Sequence, residues 1–399
     1  MLKLARALHA YGYSAQRLEN TLGATSDRLG LVGHRFFSMP TQIMAAFGPE
    51  ARQRTALLRV EPGEVNLGKL AALEQVSLDV AHGRSSPQEG MAEIARIAAA
   101  PSAFGPAITT LSFAVLSGAV CQFLGGGWRE IVVTAILGLM LGLFAIYAER
   151  HARVSRMFET LAAFLLSMAA LGLARLVGPL SVFVATLSGL IVLMPGLLLT
   201  TAITELATRH LASGTLRMSS AFMTLLGIVF GVALGTAAGV AVFGAPMEAV
   251  ARAPLPWWSA PVAIVLAATS SVAILKADPR DALWIIAAGV LGVSAGRYAA
   301  IWLGAEQGTF VAAFGVALAS SAYERWRHRP APVVLVPGIL LLVPGSIGYL
   351  SITSLMERDT LTGIDTAFRM ILTAVSLVAG LLLASVVAPE PRRTVPPTP

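Results

Sequence analysis

The sequence predicts a mainly α membrane protein of ten transmembrane helices, arranged as an inverted 5+5 repeat with broken Pro-Gly helices and preceded by a small α+β cytoplasmic domain. Three observations carry this expectation. Of 399 residues, 56% are hydrophobic and only 13% charged, and the mean hydropathy is +0.73, outside the range of ordinary soluble folds. From residue 107 onward the apolar runs reach the roughly 20 residues a helix needs to cross hydrocarbon. The stretch VLMPGLLLTTAITEL (192–206) returns as LLVPGSIGYLSITSL (341–355), 149 positions later, with Leu193 on Leu342, Ile203 on Ile352 and Thr204 on Thr353. The match continues with Arg209 on Arg358 and Gly231 on Gly380.

The first 105 residues hold 9 of the 22 acids and 11 of the 29 basic residues, as a solvated domain would. SAQRLENTLGATSDRLG (14–30) spaces Leu18, Leu22 and Leu29 as a helix. HRFFSMPTQIMAAFG and RTALLRV are short, apolar and punctuated by Pro40 and Pro49, as strands are. EVNLGKLAALEQVSLDVAHG returns to helix with Gly83 as its stop, and SSPQEGMAEIARIAAA opens another, with Ser86 as N-cap and Pro87 at the first helical position. The start of the chain has an apolar stretch interrupted by Arg6 and His9, too short and polar for a signal-peptide core. The N-terminus is therefore expected in the cytoplasm.

Ten candidate spans follow, at about 107–124, 131–148, 158–177, 180–203, 221–244, 260–276, 282–302, 308–323, 333–353 and 366–388. With the N-terminus inside, the inner loops collect Arg150, Arg153, Arg156, Arg209, Arg217, Lys276, Arg280, Arg325, Arg327 and Arg329, and the tail Arg392 and Arg393. The outer loops hold only Arg129, Arg252 and Arg358, the asymmetry expected of cytoplasmic and outer loops. The division is then a cytoplasmic domain (1–105), two five-helix repeats (106–250 and 251–390) and a cytoplasmic tail (391–399), with both termini inside.

Composition excludes several functions. The formal charge is +7, yet the arginines are scattered between apolar segments and form no basic face for nucleic acid. Cys121 is the single cysteine, so neither an intrachain disulfide nor a cysteine metal site exists. No cofactor or metal site is expected, because His9, His34 and His82 lack ligand spacing.

Five spans per copy put the second copy into the membrane upside down, the organisation of many secondary transporters around a midplane site. Proline removes a backbone donor and glycine lets the chain leave helical geometry. Such freed groups survive in lipid only beside a cavity or a compensating neighbour. The expected substrate-lining set is therefore Pro195, Gly196, Thr200, Thr201, Thr204 and Glu205 in the first copy, with Pro337, Gly338, Pro344, Gly345, Ser346, Ser351 and Thr353 in the second. Hydroxyls and backbone ends suit a small zwitterion, with a half-helix N-terminus facing its carboxylate. The alternative for each hydroxyl is a bond back to its own helix. Glu205, Glu159, Glu306, Glu324 and Asp365 lie near span ends and read as interfacial, with Glu205 the one candidate proton carrier. The spacings GLMLG (138–142) and GVSAG (292–296) read as close helix packing.

With these residues in hand the chain resembles the threonine/serine exporter family, a group of bacterial inner-membrane proteins with a cytoplasmic N-terminal domain and ten spans. The resemblance is carried by ALHAYGYSAQRLE, MPTQI and RVEPGEVNLGKLAALEQV, and most specifically by LMPGLLLTTAITELATRHLASG and VPGILLLVPGSIGY. It implies export of L-threonine, L-serine and other small solutes, driven by the proton motive force, by a secondary transporter and not an enzyme. It also draws attention to Glu19 and Asn66, which fall in the matching stretches of the N-terminal domain. The partners implied are small amino acids, protons as coupling ion and the lipid membrane; homo-oligomerisation is left open. Two other classes remain: a channel for other small solutes on the same scaffold, and a membrane-anchored enzyme working through residues 1–105.

Overall fold

The computed structural model describes residues 1–61, 63–245, 255–343, 345–356 and 358–388. Pro344, the expected tail with Arg392 and Arg393, and the whole stretch 246–254 with Arg252 therefore lie outside the described residues.

The N-terminal part is the α+β unit that its alternating patterns require. Helices α1 (Leu2–Ala10) and α2 (Ala15–Arg28) precede an antiparallel sheet in the order β1 (Arg35–Met39), β2 (Gln42–Phe47), β3 (Arg54–Arg59), followed by α3 (Leu67–Ala81) and α4 (Pro87–Ala99). Met39 pairs with Gln42, so Pro40 and Thr41 form the turn, where proline's fixed φ is an asset. Helix α3 ends at His82 and Gly83 takes a φ of +71°, as a glycine stop should. Ser86 and Glu89 form a reciprocal capping box on α4. Leu8, Leu18, Leu22, Ile43, Leu70 and Leu73 are fully shielded in one cluster; each such side chain contributes about 1.5–3 kcal/mol relative to exposure.

The remainder is helical: α5 (Pro106–Phe123), α6 (Trp128–Glu149), the single turn α7 (Ala152–Ser155), α8 (Phe158–Val177), α9 (Val182–Gly189), α10 (Gly196–Ala207), α11 (Leu211–Phe243), α12 (Ser259–Ile274), α13 (Ala282–Leu303), α14 (Ala305–Arg327), α15 (Pro332–Leu340), α16 (Gly345–Met356) and α17 (Thr360–Val387). Among the described residues, seven helical stretches are long and apolar enough to cross a membrane, α15 and α16 counting together as one of them, or eight if the bent pair α9 and α10, at 48°, is one span. This is fewer than the ten expected, for physical reasons. Helix α12 has 16 residues, about 24 Å at 1.5 Å per residue, short of a hydrocarbon core of about 30 Å. Helix α14 is long enough, but Glu306 and Gln307 at one end and Glu324 to Arg327 at the other leave too little apolar length between.

Pairwise packing follows a common scheme: α5 lies along α6 and α12 along α13, while α8 lies along α11 and α14 along α17. Glycines permit the close approaches. A β-carbon on Gly231 would stand 2.3 Å from Thr160 O, and one on Gly380, 149 positions later, 2.5 Å from Phe310 O. Gly138 and Gly142 press on Phe113, Ser117 and Thr110, and Gly292 and Gly296 on Val316 and Ala312. Both small-residue spacings thus serve packing within the chain. Helix α3 joins the membrane helices directly, since Leu67 and Ala71 share a cluster with Val272, Leu275, Tyr323 and Val333.

Candidate functional site

The first Pro-Gly pair does break its helix. Helix α9 ends at Gly189, a 3-10 turn covers Ile191–Leu193, and α10 starts only at Gly196. At the later Pro-Gly stretch α15 ends at Leu340 and α16 begins at Gly345. Pro337 and Gly338 lie inside the unbroken α15, so that pair is not a second break, contrary to expectation. Proline there costs one backbone bond, and Gly338 supplies proximity instead: a β-carbon on it would sit 2.5 Å from Val316 Cγ1.

The two breaks meet in space. A β-carbon on Gly345 would stand 3.2 Å from both Cα and N of Gly196. One on Gly196 would lie 2.3 Å from Val343 Cγ1 and 3.3 Å from Gly345 N. The chains cross backbone on backbone, a contact open only to residues without a side chain. Beside this crossing lies a cavity of about 300 Å³, lined by Leu116, Val120, Met194, Leu197, Leu341 and Ser346 among others. Its wall is mainly aliphatic.

The two helices leave the crossing in the same register. Helices α10 and α16 have identical bounds at an offset of 149, and α11 and α17 begin at the same offset. Between them the turns agree bond by bond. Arg209 has φ +65° and Arg358 φ +64°. His210 N donates to Glu205 O at 2.8 Å and Asp359 N to Ser354 O at 2.9 Å; Arg209 N donates to Leu206 O and Arg358 N to Leu355 O. Each is a Schellman closure with arginine in the left-handed position usually given to glycine.

The expected hydroxyls divide. Thr201, Thr204 and Thr353 donate to carbonyls one turn back, at Leu197, Thr200 and Tyr349, and Ser351 donates to Gly363 O. Ser346 lines the cavity. Thr200 is 2% exposed and its hydroxyl has no partner among the described residues.

Glu205 is enclosed by protein on every side. It is 1% exposed; its Oε1 accepts from Ala15 N at 2.8 Å and its Oε2 from Arg217 Nε at 3.1 Å. Ala15 opens α2, whose N-cap Ser14 makes no side-chain capping bond. A carboxylate at the end of α10 thus caps a helix of the N-terminal part, with the favourable sign for a helix N-terminus. Around it, Glu19 Oε1 accepts from Ser38 N at 2.8 Å and Glu19 Oε2 lies 3.6 Å from His210 Nε2. His9 Nε2 donates to Met39 O at 3.1 Å. Burial raises the Glu19 pKa, opposed by the Ser38 amide and His210, and burial lowers that of His9.

The same part also holds the end of α12 through α3. Asn66 caps α3 by accepting from Lys69 N at 2.9 Å, and the next amides, Leu67 N and Gly68 N, donate to Leu275 O at 3.0 Å and Lys276 O at 3.1 Å. Arg17 lies 3.9 Å from Glu324 at the end of α14. Nearby, Asp281 is fully buried, accepting from Tyr323 OH at 2.8 Å and pairing with Arg329 at 2.7 Å. No local pattern marks Ala15, Arg217, Asp281 or Arg329 as partners. One signal was available for Glu205: its counterpart at the 149 offset is Ser354, so its charge serves something outside the repeat. No group of three or more His, Cys, Asp or Glu side chains that could hold a metal occurs among the described residues.

Long apolar helices, one of them broken and bent, define a multi-pass membrane protein. The chain belongs to the threonine/serine exporter family: the family model described as "Putative threonine/serine exporter" matches residues 1–239, and that described as "Threonine/Serine exporter, ThrE" matches residues 261–387. Among curated proteins it is similar to pheromone-regulated membrane protein 10 of several yeasts. Identity is 31% with the Kluyveromyces lactis protein, over 59% of this chain and 25% of the relative. It is 26% with that of Candida glabrata, over 93% of this chain and 47% of the relative. With that of Saccharomyces cerevisiae it is 27%, over 92% and 48%. The chain thus spans a quarter to about half the length of these relatives. No solved structure matches it.

Proposed function

We propose that this protein is a secondary transporter that exports small amino acids, L-threonine and L-serine, across a bacterial inner membrane by alternating access around its paired broken helices. The observation that carries the reading is the crossing of Gly196 and Gly345 beside the cavity of about 300 Å³, a size within the range of small-molecule sites. Two half-helices, α10 and α16, begin at that crossing, and half-helix N-termini favour a substrate carboxylate. Ser346 is the hydroxyl side chain that joins the backbone there. The shared register at an offset of 149, the matched turns at Arg209 and Arg358 and the equivalent packing of Gly231 and Gly380 support two copies of five helices. With α12 and α14 counted as short spans, five per copy invert the second, and the arginine-rich loops then assign both termini and the N-terminal domain to the cytoplasmic side.

Proton motive force is the proposed drive, with protons as the coupling ion. Glu205 is not placed to carry the proton in this arrangement, because both its oxygens are engaged by Ala15 and Arg217. The test is uptake of labelled L-threonine and L-serine into proteoliposomes of the purified protein, with and without an imposed pH gradient. Saturable, gradient-driven accumulation is expected. Equilibration without accumulation would make the protein a channel, and absence of flux for both amino acids would remove them as substrates.

A further inference from the structure

A second cavity, of about 470 Å³, lies on the side of α5 and α6 nearest the N-terminal domain. Its wall combines Glu64, Ser102, Thr109, Thr110, Glu149 and Lys276 with apolar side chains of α5 and α6. Lys276 Nζ pairs with Glu64 across this wall, and Glu149 and the hydroxyls complete the polar groups that a small zwitterion in water would meet. Ile274 and Leu275 line this cavity and also the one beside the Gly196–Gly345 crossing. These two residues are therefore the partition between them.

What holds the partition is the N-terminal domain. Helix α12 closes with Lys276 in the left-handed conformation at φ +51°, Lys276 N donating to Ala273 O and Ala277 N to Val272 O. That closure leaves the carbonyls of Leu275 and Lys276 outward, and they accept from Leu67 N and Gly68 N, the first two amides of α3. A helix N-terminus thus meets a helix C-terminus, with opposite partial charges in contact. Leu67, 1% exposed, and Leu275, 6% exposed, share the same apolar cluster. Gly68 sits so close that a β-carbon on it would be 3.0 Å from Lys276 O and 3.7 Å from Asp278 N.

We propose that the cavity at Glu64, Thr110 and Glu149 is the cytoplasmic vestibule for a small zwitterionic substrate, that Ile274 and Leu275 are the gate between it and the cavity at the paired breaks, and that the first turn of α3 latches this gate shut. The proposal rests on the exporter reading for the identity of the substrate, but its geometry is tested without transport. In a Cys121→Ala background, Ser346→Cys reports on the inner cavity and Ser102→Cys on the vestibule. A membrane-impermeant cationic thiosulfonate is added from the cytoplasmic face of inverted vesicles. Ser102→Cys reacts at the same rate with and without Gly68→Leu. Ser346→Cys reacts slowly alone and about tenfold faster with Gly68→Leu, the change set by losing neutral backbone hydrogen bonds of ordinary strength. Leu275→Ala, which trims the gate and keeps the latch, also accelerates Ser346→Cys and serves where Gly68→Leu fails to fold.

An unchanged rate at Ser346→Cys in both variants overturns the gate. A Ser102→Cys that is no more reactive than the unopened Ser346→Cys overturns the vestibule. Uptake of L-threonine and L-serine by the same preparations separates the two readings: the expected labelling without flux retains the gate and removes these amino acids as substrates, while flux with unchanged labelling retains the exporter and removes the gate.

Discussion

The carboxylate of Glu205, at the last turn of α10, accepts a 2.8 Å hydrogen bond from the backbone amide of Ala15, 190 positions away in the chain. The broken helix and the N-terminal domain are therefore joined by a charge-assisted cap, closed on its other side by Arg217 at 3.1 Å. Replacing Glu205 by Ala leaves the α2 N-terminus and Arg217 without their acceptor. The expected cost is about 1–3 kcal/mol, read as a lower unfolding temperature in detergent and faster proteolytic release of the N-terminal domain. Glu205→Gln, which keeps one acceptor oxygen, should lose less.

The crossing at Gly196 and Gly345 leaves no room for a side chain. Gly196→Leu and Gly345→Leu are expected to abolish L-threonine flux in proteoliposomes while membrane insertion, checked by carbonate extraction, stays intact. Normal flux in both variants would remove the crossing from the transport pathway.

His9 gives the N-terminal domain a pH dependence with a definite sign. It is 4% exposed and donates from Nε2 to Met39 O, facing Arg217, which lowers its pKa, and Glu205, which raises it; burial dominates and the pKa is depressed. The folded state then binds the proton less well than the unfolded chain. Stability is full above the ordinary histidine pKa of about 6.5 and falls as pH drops through it. A His9→Gln variant should flatten the thermal unfolding profile below that pH. Glu19 has the opposite effect in a more acidic window, since its raised pKa makes ionisation in the folded state costly as pH rises above the ordinary carboxylate value.

Asp281, fully buried, depends on Arg329 and Tyr323. Arg329→Gln should destabilise the protein by about 1–3 kcal/mol, and Tyr323→Phe by less. In a double-mutant cycle of Arg329 and Asp281 in detergent, a coupling near zero would count against the pairing.

How far the sequence revealed this arrangement depends on whether a feature is local. The N-cap at Ser86 and the helical spacing of Leu18 and Leu22 in α2 are decided within a few residues, and both appear as read. The breaks at Pro195 and before Gly345 were visible because a repeated pattern marked them. The second pair at Pro337 misled, because a proline only removes one bond and neighbours α13 and α14 hold α15 straight around it. The partners of Glu205 were hidden for a different reason: proximity to a span end says nothing about which helix end folds back onto it. The same holds for Leu275, whose apolar side chain gave no hint that its carbonyl is held from α3.

The amides that donate to Glu205, Leu275 and Lys276 all belong to one domain. On the proposed reading, a scaffold of two inverted copies would by itself weigh its inward-open and outward-open forms almost equally, since each form is the other turned over. The N-terminal domain has no mirror counterpart among the described residues. It lifts that degeneracy, adding bonds to one form that the other cannot make, so the resting population is biased without any gradient or ligand.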